Sequence, residues 1–540
     1  MNTASIYDSA MAGLQYAQAG MVVTSQNVTG SNVAGYVRRN PNLQISALSP
    51  SSIQAGGTAF SVEGFTRNFN ALLQGQLLSQ QSKTSFTATL TQAVSTLDAM
   101  LVDPSASIAT ALGNFFNAAG SLANDPKNQA YQQALVGAAN QVGDRIRGLA
   151  DLVGNLESNA QQGLADVLNQ ANSLAPQLAD INVRIKNSTV PGLSYPSGDL
   201  LDERDRITAK LQELIGGTTS INEDGTASYS VNGIQLVDRV RANRFSQASG
   251  STTITANSGL PGNLYLAIPA TPDPGTQLRL STQNPNDREA INLQISNKLQ
   301  ATPLPSNSFK DGQAGAYAVL LQNFAPTLHK SLNLLAVELM NKVNTVAIGT
   351  AGAITPIFGF KNTDANGPSE LKNLADTGAT PNIQQKLNDP TIAFSELLDP
   401  ASPQFSAELD SWLQQNADAR NFVSVATWST TQFANLMSAS GTDAASAMIS
   451  LEGLRSKFSE PVTFITSSVA SSIATWANQH KTNEALSQVL SDQKNAISGV
   501  NLDEEAANLV KYQQLYNAAS KLIQTNRQMF DTLLAMLAGN

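Results

Sequence analysis

The residues that could do chemistry in this chain are few and badly placed for it. Its two histidines, His329 and His480, each lack a second histidine or an acidic pair at ligand spacing, so a zinc site is not expected. The absence of cysteine excludes disulfides, thiol catalysis and thiolate metal sites together. Asn222-Glu223-Asp224-Gly225 puts two acids in four residues, too short for an EF-hand calcium loop, and reads as a hairpin turn. The densest charge run is Asp202-Glu203-Arg204-Asp205-Arg206, where Glu203 and Asp202 both stand at helical pairing distance from Arg206. That spacing describes a solvated face or a structural salt-bridge network better than a catalytic carboxylate dyad. No G-x-S-x-G, P-loop or G-x-G-x-x-G occurs. The expectation is a protein that is not an enzyme and takes no cofactor.

Composition narrows the partners. A net charge of −9 offers no electrostatic footprint for nucleic acid, and Arg38-Arg39 is too small a patch to change that. No window of about 19 residues is apolar enough to span a bilayer, so no membrane insertion is expected. The N-terminus has neither a basic start nor a continuous apolar stretch, so export would use a route without a cleaved signal peptide. Charged residues are 14% of the chain, below the ~25% of an ordinary soluble domain, and small polar residues fill the difference.

What the chain does carry is periodicity at both ends. Leu502, Leu509, Tyr516, Ile523, Phe530 and Leu537 fall seven apart; Leu515, Leu522, Met529 and Met536 form a second row; Tyr512, Ala519 and Leu533, with Asn526, form a third. Such spacing puts each row along one face of a supercoiling helix. Asn501 is placed to cap it, and Asp503, Glu504 and Glu505 put negative charge on the positive end of its dipole. At the other end Tyr7, Leu14, Met21 and Val28 keep the same step, with Ala10, Ala17 and Thr24 beside them. Gly13 and Gly20 inside that helix cost roughly 1 kcal/mol each relative to Ala, so the helix must pack closely on something. Asp8 is the only charge among its first 37 residues. These two helices read either as a terminal pair within an ordinary bundle or as a coiled-coil pair that assembles with other subunits.

Between them the length of 540 residues implies about three to five domains. The fold class is multidomain and mainly α: a terminal coiled-coil domain of residues 1–40 with 499–540, and a long helical bundle of 41–216 with 422–498. An all-β domain is expected at 217–325, where the period changes to two and Asp224-Gly225 and Asn232-Gly233 signal hairpins. A mixed return segment, 326–421, follows, with helix resuming near Pro326. Within the bundle Asp103-Pro104 is expected to open a helix. From Phe422 a helical pattern returns.

The terminal residues also carry a resemblance. Ser25-Gln26-Asn27-Val28, followed by Gly35-Tyr36-Val37-Arg38, resembles the N-terminal signature of the bacterial flagellar axial proteins, where a Ser-x-Asn-Ile-Ala-Asn segment precedes Thr-Pro-Gly-Tyr. Ala34 stands here for the proline. The run from Ser498-Gly499-Val500-Asn501-Leu502-Asp503-Glu504-Glu505 through Tyr512 and Tyr516 to Ile523 looks like the C-terminus of the hook-associated, or hook–filament junction, branch. Asp199-Leu200-Leu201-Asp202-Glu203-Arg204-Asp205, and Phe115-Phe116 with Ala123-Asn124-Asp125-Pro126, fit it inward. The resemblance implies a structural subunit exported through the flagellar type III apparatus. It would self-associate as a ring on the hook protein, with a second hook-associated junction protein and the cap beyond it and an export chaperone on the C-terminal helix. The assembly residues would be Tyr7, Leu14, Met21, Val28, Leu502, Leu509, Tyr512, Tyr516, Ile523, Phe530, Leu533 and Leu537, with Asn27, Gly35, Tyr36, Asn501, Asp503, Glu504 and Glu505 as motif residues. Another axial component, or a secreted protein with an active central domain, are the competing readings.

Overall fold

The computed structural model describes residues 3–46, 59–102, 107–188, 197–247, 264–267, 309–348, 357–360, 381–424 and 441–538. The architecture is mainly helical with a few small sheets. Helix α1 (Thr3–Gly30) leads into an antiparallel hairpin, β1 (Arg39–Ser46) and β2 (Ala59–Arg67). Helices α2 (Ala71–Val102), α3 (Ile108–Asn124), α4 (Gln129–Ser188) and α5 (Gly198–Ile215) follow. Strands β3 (Thr218–Ile221), β4 (Ala227–Val231), β5 (Ile234–Asp238) and β6 (Arg241–Ala242) form an antiparallel meander, and β7 (Arg244–Gln247) pairs with β8 (Leu264–Ala267). The chain returns through α6 (Gly312–Val319), a π-helical turn (Leu320–Phe324), α7 (Ala325–Ile348) and β9 (Phe358–Phe360). Then come α8 (Pro381–Asn388), α9 (Phe394–Leu398), α10 (Ala407–Asn416) and β10 (Phe422–Ser424), which pairs with β9. Helices α11 (Gly441–Gly453), α12 (Arg455–Ser498) and α13 (Leu502–Ala538) complete it.

Local chemistry explains these elements. Ser107, in extended backbone, accepts the Ala109 amide and starts α3; the Asp103-Pro104 start lies outside the described residues. The β4–β5 turn has Asn232 and Gly233 at φ 49° and 81°, the two left-handed positions of a type I′ hairpin. The α4 helix runs 60 residues unbroken, with Pro176 inside it. Its buried face, from Leu135 and Val142 to Leu178 and Ile185, is the spine on which the rest is laid.

Three expectations need correcting. The stretch 217–325 is not β to its end, because helix begins at Gly312 rather than near Pro326. Gly312 takes φ 70° against Gly216, and the Ala-rich turns after it favour helix, so the chain starts helical as soon as it leaves that contact. Phe422–Ser424 is strand rather than helix, because Phe422 is used in an aromatic stack on Phe358, 5.4 Å away. The strands 218–242 also share one apolar core with the helices, with Tyr229, Leu236 and Val237 buried beside Leu178 and Ile207. The further strand candidates 252–256, 278–281 and 290–295 lie outside the described residues.

A recurring device ties strands to helices. An asparagine on a helix offers both its amide groups to the backbone of one strand residue. Asn182, fully buried, gives Nδ2 to the Ala227 carbonyl at 2.7 Å and accepts the Ala227 amide at 2.9 Å. Asn172 does the same to Phe245 and Asn344 to Phe358. A side-chain amide presents the donor–acceptor pair of a neighbouring strand, so it satisfies backbone groups that would otherwise be buried unpaired.

Candidate assembly interface

The two terminal helices pair antiparallel, and the row that faces inward is the least apolar of the three. On α13 it is Glu505, Tyr512, Ala519 and Asn526; on α1 it is Ala10, Gly13, Ala17, Gly20, Thr24 and Asn27. Close approach is the reason: a Cβ on Gly20 would overlap the Tyr512 ring, which also stands edge-on to Tyr16 at 5.7 Å. The rows that are richest in Leu, Met and Phe point outward. Leu509, Leu522 and Phe530 keep 37%, 52% and 56% of their surface, against 1% for Glu505 and 7% for Tyr512. A face of this kind on a long helix is a mark of an interaction surface.

The residues singled out from sequence therefore divide. Tyr7, Val28, Leu502, Leu509 and Phe530 are exposed; Leu14, Met21, Tyr516 and Ile523 are half-buried; only Tyr512 is turned fully into the pair. The side chains of Leu533 and Leu537 lie outside the described residues.

The motif residues meet at the joint where the pair joins the body. Asn27 uses every polar valence it has. Its Nδ2 donates to the Arg39 carbonyl (2.9 Å) and to Glu505 (3.2 Å), and its Oδ1 accepts from the Arg39 amide (3.0 Å) and the Tyr36 hydroxyl (2.9 Å). Glu505 also receives Arg38 Nε at 2.8 Å, and Glu504 receives Arg38 Nη1 at 2.5 Å. Asn501 caps α13, accepting the amides of Asp503 and Glu504. Gly35, at φ 85°, makes the turn that returns Tyr36 to Asn27. The Arg38 amide donates to Ser498 (2.9 Å), so both chain crossings are tied to each other.

A second layer lies beneath, and sequence reasoning missed it. Arg39 is buried, stacked 4.8 Å over Tyr36, and gives Nη2 to Asp199 (2.7 Å) and Asp202 (2.8 Å). Arg67 bridges Asp202 (2.6 Å) and Asp205 (2.7 Å). Arg39 leans so close to α5 that a Cβ on Gly198 would stand 2.6 Å from its Nε. Of the two partners that helical spacing offers Arg206, the structure pairs it with Glu203, and Asp202 turns inward. Burial pushes the Asp202 carboxyl up, against the opposing pull of Arg67 and Arg39. The one available signal was a pair of arginines at a strand start with no acidic neighbour in sequence.

Tyr36 and Tyr512 give the joint a pH dependence. Burial, foremost, pushes each phenol from its ordinary 10.0 up to about 12. A group with its pKa raised on folding stabilises the folded state fully below its unfolded value, and that contribution disappears as pH rises through the folded one. The α1–α13 pair is therefore expected to lose helicity between pH 10 and about 12. Circular dichroism followed beside tyrosinate absorbance checks this: the two transitions should coincide, and Tyr36→Phe with Tyr512→Phe should remove the step.

Among the described residues no group of three or more His, Cys, Asp or Glu could hold a metal ion, and no helix is long and apolar enough to cross a membrane.

Comparison with known proteins adds to this geometry. Residues 94–267 match the family described as "Flagellar hook-associated protein FlgK helical domain", and residues 494–536 match "Flagellar basal body rod FlgEFG protein C-terminal". The first match runs from α2 through α5 into the strands, consistent with their shared core. Flagellar hook-associated protein 1 of Salmonella typhimurium is 27% identical, with 98% of this chain and 99% of that protein covered. That of Escherichia coli is 25% identical over 98% and 99%, and that of Bacillus subtilis 21% over 98% and 97%. A solved structure, "The structure of the flagellar hook junction protein FlgK from Burkholderia pseudomallei", shares 20% identity over 53% of this chain and 46% of that one, at a TM-score of 0.42, too distant a superposition to carry weight. The terminal match, the helical-domain match and the full-length alignments with the curated relatives agree: along nearly its whole length the chain is similar to flagellar hook-associated protein 1.

Proposed function

We propose that this chain is a structural subunit of the bacterial flagellum that forms the junction ring between hook and filament. The observation that carries this reading is the outward apolar face of α13, on a chain that aligns from end to end with hook-associated protein 1. An isolated helix is marginal in water because nucleation is costly. A helix whose best apolar rows have no partner among the described residues gains most from neighbours, so polymerisation and terminal folding are coupled. Residues 1–40 with 499–540 act as the inner coiled-coil domain, 41–216 with 422–498 as the bundle, and the strands and return segment as the outer part. The ring contacts hook protein on one side and the second junction protein on the other, with the cap present during assembly and an export chaperone on α13 beforehand. The subunit acts outside the cell, in the flagellum.

Removal of residues 501–540 tests the reading. The truncated chain should remain a folded monomer, while cells that depend on it should display hooks without filaments and release flagellin into the medium. Global unfolding of the truncate would make α13 an internal core element instead, and normal filaments would contradict the assembly role.

A further inference from the structure

One outward row of α13 runs Leu515, Leu522, Met529 and Met536, seven apart, so leucine gives way to methionine over its last two steps. Met529 and Met536 keep 48% and 69% of their surface, whereas Met340 and Met448, in the body of the protein, are buried. Met11 and Met21, on α1, are half-buried. Among the described side chains the open thioethers are therefore gathered on one row of one helix. The chain has no cysteine, so no thiol competes with them for an oxidant. Packing alone does not ask for methionine here. Leucine and methionine exchange in apolar contacts at small cost, and leucine fills the same row in the two preceding heptads. What methionine adds is a sulfur that can be converted, in place, from an apolar group to a polar one.

We propose, on the reading of that face as the assembly surface, that Met529 and Met536 form an oxidation-sensitive modification site. Conversion to methionine sulfoxide by a peroxide closes the outward face of α13 to its neighbours, and reduction by a dithiol-driven reductase reopens it. In the forward step a sulfur lone pair attacks one oxygen of hydrogen peroxide. An S–O bond forms and the O–O bond breaks. The sulfur gives up two electrons, and the departing hydroxide takes the proton from the transferred oxygen and leaves as water. In the reverse step the dithiol supplies two electrons and two protons, becomes a disulfide and releases the oxygen as water. No charge is created, but a strong hydrogen-bond acceptor now projects from a row that is otherwise apolar. In the free chain solvent satisfies that oxygen, so the fold tolerates it. Against another subunit it finds no donor in its own row, and a polar group buried without a hydrogen bond is strongly disfavoured. The lost apolar contact and the desolvated oxygen act in the same direction, and weaken association by about tenfold or more at each site. The modification therefore acts before assembly, while the face is open, and spares subunits already in the ring.

For the test, the full-length chain is treated with hydrogen peroxide and its sulfoxides are located by peptide mass spectrometry. Its binding to isolated hooks, from cells that lack it, is measured by co-sedimentation. Met529 and Met536 should oxidise about tenfold faster than Met340 and Met448. Untreated chain should bind the hooks. Oxidised chain should bind about a hundredfold more weakly, and methionine sulfoxide reductase should restore it. Met529→Leu combined with Met536→Leu should bind like the parent and keep its binding after peroxide. That variant locates the effect, because its other methionines meet the same treatment. Equal binding of oxidised and untreated parent overturns the modification site and leaves the junction reading intact. So does a loss of binding in the leucine variant as large as in the parent, or oxidation of Met340 and Met448 ahead of Met529 and Met536. Failure of the untreated chain to bind hooks overturns the junction reading and the modification site with it.

Discussion

Leu509→Asp combined with Phe530→Asp should leave the monomer folded and abolish filaments. Both side chains stand open to solvent in the free chain, so exchanging them costs little beyond the lower helix propensity of aspartate, a few tenths of a kcal/mol each. The thermal transition should move by no more than about 2 °C. If the outward face of α13 is the assembly surface proposed above, the same positions lie against neighbouring helices in the ring. Each substitution then removes about 1.5–3 kcal/mol of apolar burial and adds a charge whose desolvation costs several kcal/mol more. Cells carrying the variant should show hooks by electron microscopy and flagellin in the medium by immunoblot. Tyr512→Asp is the informative contrast: its ring packs on Gly20 within the chain, so it should weaken the α1–α13 pair and leave the body of the protein folded. Normal filaments in the double variant would mean that the outward face of α13 is not an assembly surface.

Arg39→Ala should be the most damaging single substitution outside the apolar core, lowering stability by about 3–5 kcal/mol in guanidinium denaturation. The guanidinium is buried between Tyr36 and Phe65 and neutralises Asp199 and Asp202. Its loss leaves Asp202 with Arg67 as its remaining partner, in a site where burial already opposes the carboxylate's charge. Arg39→Lys should recover little of the loss, since an ammonium neither stacks on the two rings nor reaches both carboxylates from one planar group. Arg206→Ala sets the scale. That arginine makes an exposed pair with Glu203 three residues away, worth a few tenths of a kcal/mol at most. Equal effects from Arg39→Ala and Arg206→Ala would show that the joint is not a stability element.

Much of this architecture follows from local signals that act over a turn or two. The heptad rows at both ends, the Asn501 cap, the Asn232-Gly233 hairpin and the long α4 stripe are each decided by backbone preferences and by the spacing of apolar residues along one element. The lack of cysteine and of histidine pairs decided, before any fold was known, which chemistries to set aside.

Tertiary structure decided which rows meet and which are left open. Periodicity marks three rows on α13 but cannot rank them as partners for α1. Close approach over Gly13, Ala17 and Gly20 favours the row with Tyr512 and Ala519, and so turns the leucine and methionine rows outward. The buried joint was equally illegible, because Arg39 and Asp202 are 163 residues apart and Asp202, read locally, has a nearer and blander partner in Arg206. Helical spacing assigned Asp202 to Arg206 on an exposed face; packing of the β1–β2 hairpin against α5 assigns it to Arg39 and Arg67. Local spacing sets which residues share a face of a helix. Only burial, which depends on elements distant in sequence, sets which face is worth covering and by what.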